Sequence, residues 1–230
     1  MNKPLAGQRA LVTGGAQRVG RVLVRALQDA GAEVVVHYLH SQKEAEALSS
    51  KTLHADLRAP KAGEELIRRA APVDILINNA SLFTRDPLSR STPPRVHQEF
   101  AVNLFAPMEL IRHFALQGRS GTIINLLDRR ITTHDTTCAP YLLTKKGLAE
   151  LTRLAALEYA PAIRVNAIAP GPVLPPSTGS AEPAGTLPLQ KNPTPEELAQ
   201  AMLFLLQAPS ITGQIIYVDS GQHLLGYEAN

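Results

Sequence analysis

The sequence has no tryptophan, a single cysteine, and only five phenylalanines and five tyrosines among 230 residues. A lone cysteine, Cys138, excludes an intramolecular disulfide and a cysteine-built metal site, and it fits a reducing compartment. So few aromatics leave little for nucleic-acid bases to stack on. Charge of one sign is also scarce: 23 Lys and Arg against 20 Asp and Glu leave +3. The pI is about 9.1, yet the basic residues are scattered, with no cluster longer than a pair such as Arg68-Arg69. Nucleic acid is therefore not the expected partner, and a mildly positive surface suits an anionic small molecule. No apolar run approaches the roughly 20 residues of a membrane span. The N-terminal stretch MNKPLAGQRALVTGG reaches a glycine cluster before any long apolar segment, which is not a signal-peptide pattern. The expected location is cytoplasmic, with no membrane partner. Hydrophobic residues make up 44% and charged residues 19%, enough apolar content for a sizeable core.

The chain reads as strand, glycine turn and helix, repeated. Apolar runs predict strands at 9–13, 33–38, 52–55, 73–78, 121–127, 163–168 and 214–218. Helical spacing predicts helices at 19–30, 44–48, 62–70, 95–116, 141–159 and 196–206. Gly31 stands at the C-terminal cap of the first, and Thr194 with Pro195 opens the last. Strands alternating with helices imply an α/β fold: one doubly wound parallel sheet of about seven strands, helices on both faces. No composition shift or internal repeat marks a second domain, so residues 1–230 are expected to form one. The stretch 172–195, rich in Pro, Gly, Ser and Thr, is expected to be a substrate-loop region. Ligands of such a sheet bind outside the carboxyl ends of its strands.

The first such loop is Thr13-Gly14-Gly15-Ala16-Gln17-Arg18-Val19-Gly20. Its glycines allow a tight turn and close approach to a pyrophosphate, which the helix N-terminus attracts. Arg18 is open to two readings, a solvated side chain in the first helical turn or a guanidinium beside the phosphates. The second loop follows Val34-Val35-Val36-His37-Tyr38-Leu39-His40-Ser41. An NAD-selective site wants an acidic residue there. None is present, and His40, Ser41 and Lys43 are available to meet a 2′-phosphate, or are simply polar loop residues. No carboxylate or thiolate pattern accompanies His37 and His40, so no metal site is expected. In Tyr141-Leu142-Leu143-Thr144-Lys145 the spacing of four puts phenol and ammonium on one helical face. The ammonium is expected to lower the phenol pKa toward neutrality and make Tyr141 a general acid.

The glycine loop, Asn78-Asn79-Ala80, Tyr141 with Lys145, and Ile163-Arg164-Val165-Asn166 through Pro170-Gly171 occur in one order at consistent spacing. Together they resemble the short-chain dehydrogenase/reductase family over essentially the whole length. The resemblance implies a Rossmann-type fold, a nicotinamide cofactor and hydride transfer. By it Tyr141 is the proton donor, Lys145 holds the nicotinamide ribose, and Asn103 supports its helix and a proton-relay water. It implies cofactor contacts from Gly14, Arg18, Val19, Gly20, His40, Ser41, Asp56, Leu57, Asn79, Ala80, Ser81, Tyr141, Lys145, Pro170 and Gly171. Asp56 is equally readable as a turn carboxylate. The family commonly forms homotetramers through the helices bearing Asn103 and Tyr141.

The departures from the family pattern point further. Asp128 stands where the active-site serine is usual, Ser81 replaces the glycine of Asn-Asn-Ala-Gly, and Arg18 replaces a loop glycine. With Phe83 and the His37-Tyr38 stretch, they resemble the pteridine reductase subgroup, in which an aromatic stacks the pterin and the Asp takes part in binding and proton supply. Substrate contacts are then expected from Arg18, Ser81, Phe83, Asp128 and Tyr141. Competing readings are a loop carboxylate paired with Arg129 or Arg130 for Asp128, and a packing role for Phe83. The family's usual threonine shortly after Pro-Gly is not matched; Pro175 stands about there. The expected activity is an NADPH-dependent reductase acting on a pterin or dihydrofolate-type C=N bond. The alternatives are a carbonyl or 3-oxoacyl-thioester reductase and, from another class, a non-catalytic nucleotide-binding regulator.

Overall fold

A computed structural model describes residues 3–174 and 186–225. Seven strands form one all-parallel sheet in the order β3-β2-β1-β4-β5-β6-β7. They are β1 (Arg9–Val12), β2 (Glu33–Tyr38), β3 (Thr52–His54), β4 (Ile75–Asn78), β5 (Gly121–Leu126), β6 (Ile163–Pro170) and β7 (Ile215–Val218). The helices are α1 (Arg18–Asp29), α2 (Gln42–Leu48), α3 (Ala62–Ala70), α4 (Pro93–Phe100), α5 (Ala106–Ala115), α6 (Ala139–Glu158) and α7 (Pro195–Gln207). The strand order reverses direction between β1 and β4, and a crevice opens at that switch point.

The strands read as unbroken apolar runs because both faces of the sheet are covered. Successive side chains point to opposite faces. Val12, Val36, Ile77 and Ile124 pack with Leu23 and Leu27 of α1 and Leu198 and Met202 of α7. Leu11, Val35, Leu76 and Ile123 pack with Leu66 of α3, Leu110 and Phe114 of α5 and Ala155 of α6. Two caps follow the expected chemistry. Ala30 closes α1 with Gly31 at φ +99°, and Thr194 and Glu197 form a reciprocal capping box on α7.

One expectation is corrected. The periodicity at 95–116 predicts a single helix, and the structure breaks it with a wide π-type turn at Ala101–Phe105 between α4 and α5. Pro107 is the cause: it has no N–H to give the carbonyl of Asn103, so the regular ladder fails there. Such turns gather at functional sites, and this one carries Asn103. The region 172–195 is described only at 172–174 and 186–195. Pro175, and residues 226–230 of the C-terminus, lie outside the described residues.

Candidate active site

The crevice holds a cleft of about 530 Å³, lined by Gly14, Gln17, Arg18, Val19 and Gly20 on the first turn, His37, Leu39 and His40 after β2, Ala55, Asp56, Leu57 and Arg58 after β3, and Asn79, Ala80, Ser81 and Leu82 after β4. The first turn is compressed. A Cβ on Gly20 would lie 2.2 Å from the Gly14 carbonyl oxygen and 2.9 Å from the Gly15 Cα. Gly14 has φ +59°, and Arg18 adopts φ +51°, so the arginine keeps a backbone shape natural to glycine. Arg18 is thus a left-handed residue opening α1 at the lip of the cleft, where its side chain is among those lining it.

Asn79 ties this turn to β4, its Nδ2 donating to the carbonyls of Thr13 at 2.9 Å and Gly14 at 3.0 Å. The Thr13 hydroxyl accepts from the amides of Asn79 and Ala80, each at 3.0 Å. His37, which is 2% exposed, locks the other side. Its Nδ1 accepts the Gly14 N–H at 3.1 Å, which leaves the proton on Nε2 to donate to the Ala55 carbonyl at 3.0 Å. Burial, with His54 adding to it, pushes the imidazole below its ordinary range, so the ring is neutral, as this bonding needs. Asp56 behaves as the turn carboxylate it resembles: it accepts the Arg58 N–H and pairs with the guanidinium at 2.7 Å while lining the cleft.

Beyond Ser81 and Leu82 the chemistry changes. Asn103 clamps the loop after β4: its Oδ1 accepts from Leu82 N–H at 2.8 Å and from the Ser81 hydroxyl at 3.3 Å. Its Nδ2 donates to the Leu82 carbonyl at 2.8 Å and to Thr144 Oγ1 at 3.2 Å. On the same loop Thr84 N–H donates to Glu99 Oε1 at 2.7 Å, and burial raises the pKa of that carboxyl. Phe83, 46% exposed, meets the Tyr141 ring edge-on with centroids 4.7 Å apart. The Tyr141 hydroxyl donates to Asp128 Oδ2 at 2.9 Å. Asp128 also accepts from the Arg130 backbone N–H at 2.8 Å and from Arg130 Nη1 at 3.2 Å. The pairing with Arg130 is thus present, and the arginine's partner is also the tyrosine's.

A model of the family described as "Enoyl-(Acyl carrier protein) reductase" matches residues 14–223. L-xylulose reductase of Mesocricetus auratus is 34% identical over 96% of this chain and 98% of its own length. The chain belongs to the short-chain dehydrogenase/reductase family. Carbonyl reductase family member 4 of Danio rerio is also 34% identical, over 94% of this chain and 98% of its own. Among solved structures, FolM alternative dihydrofolate reductase 1 of Brucella canis, complexed with NADP, superposes with a TM-score of 0.89 at 33% identity, covering 98% of both chains.

One electrostatic expectation drawn from the helical spacing is corrected. The Tyr141 phenol moves the opposite way from that expected of a neighbouring ammonium. Burial, then the adjacent Asp128, push the phenol well above its ordinary value, and the cation that works against them is Arg130. Lys145 is itself buried, its Nζ donates to the Leu126 carbonyl at 2.8 Å, and burial takes its own pKa down to about 8. The ammonium stands over the Tyr141 ring, 5.7 Å from its centroid.

Ten of the expected cofactor residues line the cleft: Gly14, Arg18, Val19, Gly20, His40, Asp56, Leu57, Asn79, Ala80 and Ser81. Tyr141, Lys145, Phe83 and Asp128 form the second cluster just beyond it. Ser41, which precedes α2, and Pro170 and Gly171, at the end of β6, are not among the lining residues. Sequence reasoning passed over the bridging role of His37, and with it Thr13, Glu99 and the Arg130–Asp135 pair. A buried-strand histidine directly opposite a glycine turn was the available signal for the first. The others act through contacts that no local spacing reveals.

Proposed function

We propose that this chain is a single-domain NADPH-dependent reductase that reduces a pterin or dihydrofolate-type C=N bond, with Tyr141 as proton donor. The observation that carries this reading is the hydrogen bond from the Tyr141 hydroxyl to Asp128 Oδ2, 2.9 Å, beside the exposed ring of Phe83. Reducing a ring C=N puts a hydride on carbon and a proton on nitrogen, so a proton-handling pair next to a flat apolar plate suits it better than it suits a simple ketone. The name and bound NADP of the Brucella neighbour point the same way.

The cleft fits the dinucleotide. The compressed glycine turn has no room for a Cβ at Gly20 and leaves its outer side open to a pyrophosphate. Gly14, Arg18, Val19 and Gly20 would hold the phosphates, Asp56 and Leu57 the adenine, and His40 and Ser41 the 2′-phosphate. Asn79, Ala80, Ser81, Lys145, Pro170 and Gly171 would hold the nicotinamide half. Bound NADPH supplies the hydride. Tyr141, kept as a phenol by its surroundings, gives its proton to the substrate nitrogen: the O–H bond breaks, an N–H bond forms, and the O–H electron pair stays on the phenolate. Asn103 fixes the Ser81–Leu82 segment, and Phe83 orients the ring. Leu143 and Leu154 of α6 and Phe105 and Met108 near α5 are exposed, and a homotetramer in the cytoplasm would cover that apolar surface.

A second reading, a carbonyl or 3-oxoacyl-thioester reductase, is favoured by the names of the relatives at 34% identity. The experiment is a panel of oxidised and dihydro pterins, folates, ketones and a 3-oxoacyl thioester, each with NADPH and NADH. Pterin or folate turnover well above ketone turnover, with NADPH preferred, is the expected result. Ready ketone or thioester reduction with every pterin ignored overturns the substrate. Equal use of NADH overturns the reading of His40 and Ser41.

A further inference from the structure

Arg130 lies outside every family motif, yet it is the hub of the charged cluster at the proton-donating end. Its Nη1 reaches Asp128 Oδ2 at 3.2 Å, the oxygen that also takes the Tyr141 hydroxyl proton at 2.9 Å. Its Nε donates to Asp135 Oδ2 at 3.1 Å. Asp135 is fixed in turn, its Oδ1 accepting the Thr137 amide at 2.9 Å and the Thr137 hydroxyl at 2.6 Å. The guanidinium carbon stands 5.9 Å from the Phe83 ring centroid, so the side chain is held from a third direction. About a fifth of the Arg130 side chain is exposed, so most of it is held inside this cluster.

Once Tyr141 has given up its proton, a phenolate oxygen faces an ionised carboxylate at hydrogen-bond distance. Two adjacent anions repel strongly in a partly buried site unless a fixed cation faces both. Lys145 is committed to the Leu126 carbonyl and sits over the ring, and the Cys138 thiol beside Asp135 carries no charge, burial having pushed it up to about 12. We propose that Arg130 is a positioning residue for proton donation: held by Asp135, it keeps Asp128 against the Tyr141 hydroxyl and offsets the negative charge that forms when the phenol proton leaves. This rests on Tyr141 as proton donor and is independent of whether the substrate is a pterin.

The test is Arg130→Gln, Arg130→Lys and Asp135→Asn in the full-length protein, assayed with the best substrate of the panel and, separately, crystallised without substrate. A charge-assisted hydrogen bond lost in the transition state corresponds to a fall in kcat of about 10- to 100-fold for Arg130→Gln. KM and the NADPH Kd stay within about twofold of the parent, as expected for an interaction needed only while the proton moves. Arg130→Lys restores most of kcat, and Asp135→Asn falls between. The crystal structure of Arg130→Gln shows Asp128 turned away from the Tyr141 hydroxyl. A loss confined to KM, an unchanged kcat, or an intact Tyr141–Asp128 bond in Arg130→Gln overturns the proposal. If Arg130→Gln does not fold, the Lys and Asn variants carry the same comparison. If the parent reduces nothing on the panel, the proposed function fails, and the crystallographic arm still decides what positions Asp128.

Discussion

At the end of the cleft formed by β1, β2 and β3, the groups that fix the glycine turn are backbone and neutral, and the charged lining residues, Arg18 and the Asp56–Arg58 pair, stand at its exposed rim. Gly14 and Arg18 have left-handed φ values, Gly20 has no room for a Cβ, and His37 is an uncharged bridge between two loops. At the end formed by β4, β5 and α6, they are charged side chains partly or wholly removed from water: Asp128, Arg130, Asp135 and Lys145. The first end is suited to holding a charged ligand that brings its own phosphates, so it supplies amides and shape, with its charged groups at the rim. Under the proposed function the second manages a proton, which calls for groups whose charges are fixed against one another. The same carboxyl edge of one sheet thus carries a geometric device and an electrostatic one. Substitutions at the first should act on cofactor affinity, and at the second on the rate of the chemical step.

The largest effect tests the electrostatic end. Tyr141→Phe keeps the ring and its contact with Phe83 but removes the transferable proton. Proton transfer by a positioned side chain contributes about 10²- to 10⁴-fold, so kcat should fall by that amount, with NADPH affinity and the circular dichroism spectrum unchanged. A Phe variant with near-parent kcat on the preferred substrate would show that the chemistry does not run through this end.

Next comes the geometric end. Gly20→Ala puts a Cβ against the Gly14 carbonyl and the Gly15 Cα, backbone atoms that cannot swing aside. Overpacking of this kind costs about 1–3 kcal/mol, which corresponds to a NADPH Kd weakened roughly 5- to 150-fold. Fluorescence titration with NADPH reads the Kd, and kcat at saturating cofactor should hold. A drop in kcat at saturation with Kd unchanged would erase the distinction between the two ends.

How much of each end was legible in the sequence follows from the same contrast. The strand order, the two-faced core and the glycine turn follow from local patterns, because an apolar run in a parallel sheet and a tight turn each announce themselves within a few residues. Tyr141 and Lys145 were legible as a helical pair, but their electrostatic relation was not. Spacing of four places two side chains on one face without saying that Lys145 Nζ is claimed by the Leu126 carbonyl or that Asp128 accepts the phenol's hydrogen bond. The break after Phe100 could have been anticipated from Pro107. The bridge at His37 joins residues 23 and 18 positions away, and only the strand order brings those loops together.

His37 sharpens the comparison through pH. Burial holds its folded-state pKa below the ordinary 6.5, and Asp56 and the Ala55 carbonyl, which favour the charged form, do not reverse this. The unfolded chain therefore takes up this proton first as pH falls. The His37 contribution to stability is complete above 6.5 and is lost as pH drops through that value toward the folded pKa. Protonation also destroys the acceptor for the Gly14 N–H, so NADPH affinity should weaken over the same acid range. His37→Gln, which offers an amide oxygen that does not titrate, should flatten the acid limb of a plot of Kd against pH. A parent Kd that is flat across this range, or a limb that persists in the variant, would remove His37 from the cofactor end.

The smallest effect lies where the two ends meet the substrate. Phe83 is held by Thr84 N–H on Glu99 and faces the Tyr141 ring edge-on, with nearly half its surface left open. Its neighbours fix its position without filling its face. Phe83→Ala removes an aromatic contact worth about 0.5–1.5 kcal/mol beyond area burial, so KM for a pterin should rise roughly 2- to 12-fold. Because Phe83 donates no proton and touches none of the glycine turn, kcat and NADPH Kd should barely move. KM for a small aliphatic ketone, which has no π face to stack, should stay put as well. If the ketone KM rises as much as the pterin KM, Phe83 is packing the Tyr141 ring, and the substrate-facing plate has to be sought elsewhere at this end of the cleft.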